Sequence, residues 1–237
     1  QNPNVYFSMG TTAENVAKKY KISRTEQQEF SILSHQKAYN AQTNGNFKSE
    51  IVKIYDCEKD DNIRPNSDQE KLDKLKLAFD SEGTVTAATS SPLTDGAAAT
   101  LICEENYAKE NNLPILGRII STAVEGCDPN FMGLGPIFAS KKALKRANLS
   151  INKIDIVELN EAFASQALAC IKDLGIDINK VNIDGGALAL GHPLGATGAR
   201  ITGKAAMLLR RENKKYALST QCIGLGMGIA TIIESIN

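Results

Sequence analysis

Beyond about Thr84 the sequence alternates short apolar runs with amphipathic segments of helical period, and glycine-rich turns separate them. "ILGRIISTAVEG" predicts a strand and "PIFASKKALKRAN" a helix entered at proline. "IDIVELN" predicts a buried strand. "EAFASQALACIKDLG" predicts a helix with Phe163, Leu168, Ile171 and Leu174 on one face. "VNIDGG" predicts a further short strand, and "GATGARITGKAAMLLRRE" a helix entered through glycines. "YALSTQC" and "GIATIIESI" predict two strands of a hairpin joined by a glycine turn. Strands alternating with helices require a sheet covered by helices on one or both faces, so the fold class is α/β.

Upstream the pattern differs. Residues 12–43 carry apolar Phe30, Leu33, Ala38 and Ala41 at helical spacing. Ser23 with Glu26 three residues on predicts a capping box, and Gly45 a helix end. His35 falls within this helix and is expected at its surface or boundary. "SEIVKIYDCEK" alternates as a short strand would. The polar stretch that follows predicts one short amphipathic helix around Leu72, Leu75 and Phe79, as an excursion over the surface. Composition therefore changes near Thr84.

The function classes narrow by charge and apolar length. Lys+Arg and Asp+Glu are both 27, which gives no basic surplus for nucleic acid and no acidic tail. No apolar run reaches the roughly 18–20 residues that cross a bilayer. Five scattered cysteines, none in a CxxC pair, make neither a disulfide framework nor a zinc site, so no metal is expected. They point to a reducing, cytoplasmic compartment, a mitochondrial one being the alternative. The final Ser-Ile-Asn is no peroxisomal address.

Three polar side chains stand where apolar strands end. Asn160 closes "IDIVELN", His192 lies in the glycine turn "GGALALGHPLG", and Cys222 closes "YALSTQC". In open α/β sheets ligands gather beyond strand ends. Asn160 could instead cap a helix, His192 could sit in a plain turn, and Cys222 could be a small apolar residue. Together, an imidazole, a thiol and exposed glycine N–H groups suit thiol and acyl-transfer chemistry. The glycines of "GLGMG" do not fit a dinucleotide fingerprint, whose third glycine would fall at Ile229, and no GxxxxGK[ST] phosphate loop occurs.

"NEAFA" (160–164), "GGALALGHPLGATGARI" (185–201) and "CIGLGMG" (222–228) resemble the signature blocks of the thiolase family, and most of all those of its biosynthetic acetyl-CoA acetyltransferases. "MGTTAENVA", "EGTVTAATSSPLTDGAAA" and "MGLGPI" extend the resemblance in order from Met9 to the C-terminus. It implies a thiolase-like fold of which this chain holds the C-terminal half, a mixed sheet with covering helices, plus most of the loop domain. Residues 1–8 are then unmatched, 9–84 are the mainly helical loop domain that binds coenzyme A, and 85–237 are the C-terminal half.

The implied reaction condenses two acetyl-CoA to acetoacetyl-CoA and coenzyme A, reversibly. Coenzyme A thioesters are substrates and no cofactor is implied. By the resemblance His192 activates the nucleophile and lines an oxyanion hole, and Asn160 holds the water completing it. Cys222 is the second, acid/base cysteine, and Gly224 gives an N–H to the other oxyanion hole. Arg64 falls near the nucleotide phosphates and Ser91 at the pantetheine, while Met9, Phe79, Ala87, Leu93, Met132 and Phe163 line the channel.

The family's nucleophilic cysteine lies upstream of the "MG" block, in a Cys-x-Ser stretch that none of these cysteines occupies. A partner half carrying it, and a homo-oligomer of two or four copies, are implied. Ser8, Pro92, Thr94 and Leu225 depart from the family pattern. The missing nucleophile and the Ser8, Pro92 and Leu225 changes motivate an alternative, a non-catalytic acyl-CoA-binding or assembly module. Half of a two-sheet fold is also expected to leave apolar faces open.

Overall fold

The computed structural model describes residues 6–236; residues 1–5 of the unmatched segment 1–8, and Asn237, lie outside the described residues. Four strands form one sheet in the order β1-β4-β3-β2. They are β1 (Arg118–Gly126), β2 (Ile156–Leu159), β3 (Tyr216–Ile223) and β4 (Met227–Glu234). β4 runs antiparallel to both β1 and β3, and β2 runs parallel to β3. The sheet is therefore mixed. A parallel pair needs a long crossover, and the β2-to-β3 connection supplies it with α6 (Ala164–Leu174), α7 (Ala187–Leu190) and α8 (Thr197–Arg211).

Side-chain alternation sorts the two faces of β3. Leu218 joins a large core with Ile137 and Leu144 of α5 (Gly135–Ala147) and Ala167, Cys170 and Leu174 of α6. Its neighbour Ala217 joins a smaller core with Ala205, Leu208 and Leu209 of α8. Helices thus cover the sheet on both faces. α5 reaches β4 through bare backbone. A Cβ at Gly228 would lie 2.1 Å from the Gly135 carbonyl carbon, and one at Gly135 would lie 2.2 Å from the Met227 oxygen.

The N-terminal region is helical, in two pieces. α1 (Met9–Tyr20) is capped by Ser8, whose Oγ accepts the Thr11 N–H at 3.1 Å, and it ends at Lys21 with φ 54°. Ser8, a departure from the family pattern, therefore has a capping role of its own. α2 (Arg24–Thr43) starts with the expected capping box: Ser23 Oγ accepts the Glu26 N–H and Glu26 Oε2 accepts the Ser23 N–H.

Some sequence expectations give way. Residues 49–59 form no strand, only an isolated bridge between Ile54 and Cys57, because no neighbouring strand lies alongside to accept the pairing. "VNIDGG" likewise makes a single bridge, Val181 to Val157. The amphipathic helix shortens to α3 (Gln69–Asp73): Leu72 is buried, while Leu75 and Phe79 lie beyond its end. α4 (Glu105–Glu110) follows the apolar run 96–104. That run has no regular structure and leaves Leu101 and Ile102 mostly exposed. Beside it opens a groove of about 610 Å³ lined by Leu101, Ile102, Leu116, Ile119 and Met207 among others. Among the described residues no helix is long and apolar enough to cross a membrane.

Candidate active site

β2 and β3 end side by side. Leu159 is paired with Thr220, and the Asn160 N–H donates to the Thr220 carbonyl at 3.0 Å. Asn160 is fully buried at the end of β2 and is not the cap of α6, a place taken by Phe163. The helix begins later than expected because Glu161 is diverted into a separate knot. Its buried carboxylate accepts from Ser34 Oγ at 2.6 Å, Asn182 Nδ2 at 2.7 Å and the Leu188 N–H at 3.1 Å. Ser34 Oγ also accepts the Gly186 N–H. α2, the end of β2 and the turn leading to His192 are thereby tied at one point. Burial still pushes the Glu161 carboxyl above its ordinary range, against these donors.

That turn delivers His192 onto Asn160. Gly191 precedes it with φ 93°, and a Cβ there would strike Thr94 Oγ1 at 2.3 Å, so only glycine fits. His192 Nε2 lies 3.4 Å from Asn160 Nδ2, and its Nδ1 lies 2.7 Å from Thr197 Oγ1. Burial, and then the Arg200 cation, hold the imidazole below its ordinary 6.5, which leaves it neutral and able to accept a proton at neutral pH. The Asn160 Oδ1 is buried without a partner among the described residues, a position able to hold a water or a polar substrate atom.

Cys222 stands two residues beyond Thr220, paired with Gly228. Alternation sets it with Leu218 and Thr220, and the Thr220 hydroxyl meets Ser140 of α5 at 3.3 Å. Enclosure of its sulfur pushes the thiol up to about 12, so it keeps its proton until a base takes it. Among the described residues no hydrogen bond joins Cys222 to His192; the site pairs His192 with Asn160 and sets Cys222 at the adjacent strand end. Gly224 opens the hairpin turn, exposed, with nothing within 4 Å of where a Cβ would be. The next residue, Leu225, takes φ 67°, a conformation that costs a side-chain-bearing residue about 1–2 kcal/mol.

The expected binding residues do not all lie together. Phe79 packs over Gly10 beside Met9 and meets Phe163 edge to face, with centroids 5.9 Å apart. Ala87, exposed, opens a 3-10 turn. Beyond it Ser90 bridges to Phe163 and the Ser91 N–H donates to the Ala162 carbonyl, so the extended segment carrying exposed Leu93 runs along "NEAF" toward His192. Within it Thr94 Oγ1 donates to the Pro92 carbonyl at 2.8 Å. Met132 is buried in a 3-10 turn below α1 and is less open than the rest. Arg64 lies apart: its N–H donates to His35 Nδ1 at 3.1 Å and its side chain is exposed.

His35 departs from expectation. It is buried, 6 % exposed, because the loop bearing Arg64 folds back over α2, and burial pushes its imidazole down to about 4. The pattern also gave no sign of Glu161, Thr197, Ser34 or Arg200. Glu161, Thr197 and Arg200 lie inside the motif blocks themselves, but the partners of Glu161 sit on segments the pattern does not connect. The contact of Thr197 with His192 depends on how the turn before α8 folds back. Among the described residues no group of three His, Cys, Asp or Glu side chains is placed to hold a metal ion.

Residues 113–235 match the family model described as Thiolase, C-terminal domain, and residues 4–106 match Thiolase, N-terminal domain. A 3-ketoacyl-CoA thiolase of Vibrio vulnificus is 49% identical over 239 residues, covering 95% of this chain and 62% of that protein. An acetyl-CoA acetyltransferase of Shinella zoogloeoides is 49% identical over 238 residues, covering 97% and 61%. The crystal structure of human mitochondrial 3-ketoacyl-CoA thiolase superposes with a TM-score of 0.93 at 42% identity, over 100% of this chain and 62% of that one. The chain thus spans about 62% of the length of such relatives.

Two expectations change. The chain is not a C-terminal portion alone, since it also matches the N-terminal model from residue 4, inside the segment read as unmatched. The two matches adjoin between residues 106 and 113. Nor do the relatives single out the biosynthetic branch, because both names appear at 49% identity. Two family models in sequence order, and a sheet that follows solved thiolases throughout, place this chain in the thiolase family.

Proposed function

We propose that the protein transfers acyl groups between coenzyme A thioesters, making and breaking the carbon–carbon bond of a 3-ketoacyl-CoA, with acetoacetyl-CoA as the substrate. The observation that carries this reading is the contact of His192 with Asn160 at the shared end of β2 and β3. A neutral imidazole takes the proton of an attacking thiol, and the resulting N–H, with the Asn160 amide, faces the oxyanion that forms as the thiolate adds to a carbonyl. The carbon–carbon bond then breaks, its electron pair is left on the α-carbon of the departing acyl-CoA, and the Cys222 thiol supplies a proton there. A thiol held up to about 12 suits an acid that gives its proton only to so basic a carbon.

By the family resemblance the nucleophilic thiol comes from sequence preceding Met9, and a homo-oligomer of two or four copies would carry the site. Met9, Phe79, Ala87, Ser91, Leu93, Met132 and Phe163 would flank the pantetheine channel, with Arg64 toward the nucleotide phosphates. The test joins the corresponding upstream portion of the Shinella zoogloeoides relative ahead of Met9 and follows acetoacetyl-CoA thiolysis, with a longer 3-ketoacyl-CoA in parallel. Turnover is expected, and H192A is expected to reduce kcat by roughly 10²–10⁴-fold. Tight acyl-CoA binding without turnover in a folded protein would instead support the non-catalytic module.

A further inference from the structure

Thr197 opens α8 with no exposed surface, and its single hydroxyl proton must choose between two neighbours. Oγ1 lies 3.0 Å from the Pro193 carbonyl oxygen, four residues back, and 2.7 Å from His192 Nδ1. Serine and threonine hydroxyls can donate back to the i−4 carbonyl, as Thr197 does to Pro193. The Pro193 carbonyl also takes the Ala196 and Thr197 N–H groups, so the first turn converges on one acceptor. A hydroxyl committed there presents only lone pairs to the imidazole. On the other side of the ring, the Asn160 amide nitrogen is directed at Nε2. A neutral imidazole between an acceptor at Nδ1 and a donor at Nε2 has one consistent protonation.

We propose that Thr197 is a positioning residue: its Oγ1 accepts the His192 Nδ1–H and holds the ring as the tautomer whose Nε2 lone pair faces Asn160. The proposal deepens the acyl-transfer reading and rests on it for its consequence, since a base must present a lone pair to the thiol. Threonine suits the task because its β-branch restricts χ1, so the oxygen is held in place beside the ring. When the imidazole takes a proton at Nε2, the Nδ1–H···Oγ1 bond becomes charge-assisted and strengthens.

The chain contains its own control. The other histidine, His35, accepts the Arg64 N–H at Nδ1, so in its neutral form it carries the proton on Nε2. Long-range proton–nitrogen NMR correlations of the ¹⁵N-labelled chain at neutral pH distinguish the two tautomers, with H35Q assigning the pair. Opposite patterns are expected, His192 protonated at Nδ1 and His35 at Nε2. T197V is expected to turn the His192 pattern into a mixture of tautomers, and T197S to restore it.

A His192 protonated at Nε2 in the unaltered chain overturns the proposal, even if T197V does not fold. So does a T197V chain with unchanged His192 shifts. In the joined enzyme T197V is expected to lower kcat by at least about tenfold with KM unchanged, part of the roughly 10²–10⁴-fold a placed base supplies. Loss of KM alone also counts against it. A joined enzyme without turnover but with the expected NMR patterns would refute the acyl-transfer reading and leave the tautomer assignment standing.

Discussion

Burial holds the His192 imidazole down, and a charge it does not touch adds to that. Arg200 lies within electrostatic reach of the imidazole and disfavours its protonated form, and its own Nε has no partner among the described residues. Removing that cation therefore raises the His192 pKa toward the ordinary 6.5. In R200Q the NMR titration of the His192 ring is expected to move its midpoint upward from the unaltered chain; an unmoved or lowered midpoint would show that burial alone sets it. At this scale the sequence identified the reactive types, because a histidine between glycines and a cysteine opening a glycine run are rare placements. It did not identify Arg200, Thr197 or Glu161. The role of Arg200 depends on which face of α8 meets β2, and that of Thr197 on how the turn before α8 folds back on His192. That of Glu161 depends on Ser34 and Asn182 reaching one carboxylate, and spacing along the chain encodes none of these.

Elements were legible where periodicity and packing agree. β1, β3, β4, α5 and α8 carry enough alternation or helical spacing to be placed within a few residues. The stretch at 49–59 alternates equally well and forms no strand, since alternation requires a neighbouring strand to become a ladder. The closeness of α5 to β4 was not legible either, because nothing in "MGLGPI" says which glycine faces a backbone. G228A is expected to destabilise by more than about 2–3 kcal/mol, as overpacking against rigid main chain does. The urea midpoint reads that loss, and a midpoint unchanged from the unaltered chain would mean that α5 can withdraw from the sheet. The Gly135 carbonyl carbon, at 2.1 Å, leaves no rotamer that would relieve the clash.

Across the whole molecule, one buried acid links stability to pH. Glu158 on β2 is 1 % exposed, and burial holds its carboxyl up to about 8, although Arg200 and Lys204 pull it down. Unfolded, it titrates near 4.5. Between these values the unfolded chain releases a proton that the folded chain keeps, so this group's contribution falls as pH rises through the window and is unaffected below it. E158Q keeps the shape of the protonated acid and removes the titration. Its unfolding free energy, read from urea titration, is expected to gain on the unaltered chain between pH 5 and pH 8 by an amount on the order of a few kcal/mol. A constant difference between the two chains across that range would count against it. The α/β class follows from strand–helix alternation alone, whereas the two-sided covering of the sheet depends on which core each helix joins.

The knot at Glu161 also has a consequence in time. Ser34 lies 127 residues before Glu161 and 152 before Gly186, so the hydrogen bonds that set the histidine turn close very long loops. Such contacts form late, after local helices and the hairpin, because the entropy of closure must be met before they contribute. The turn that carries His192 is accordingly expected among the last regions to mature as the chain folds.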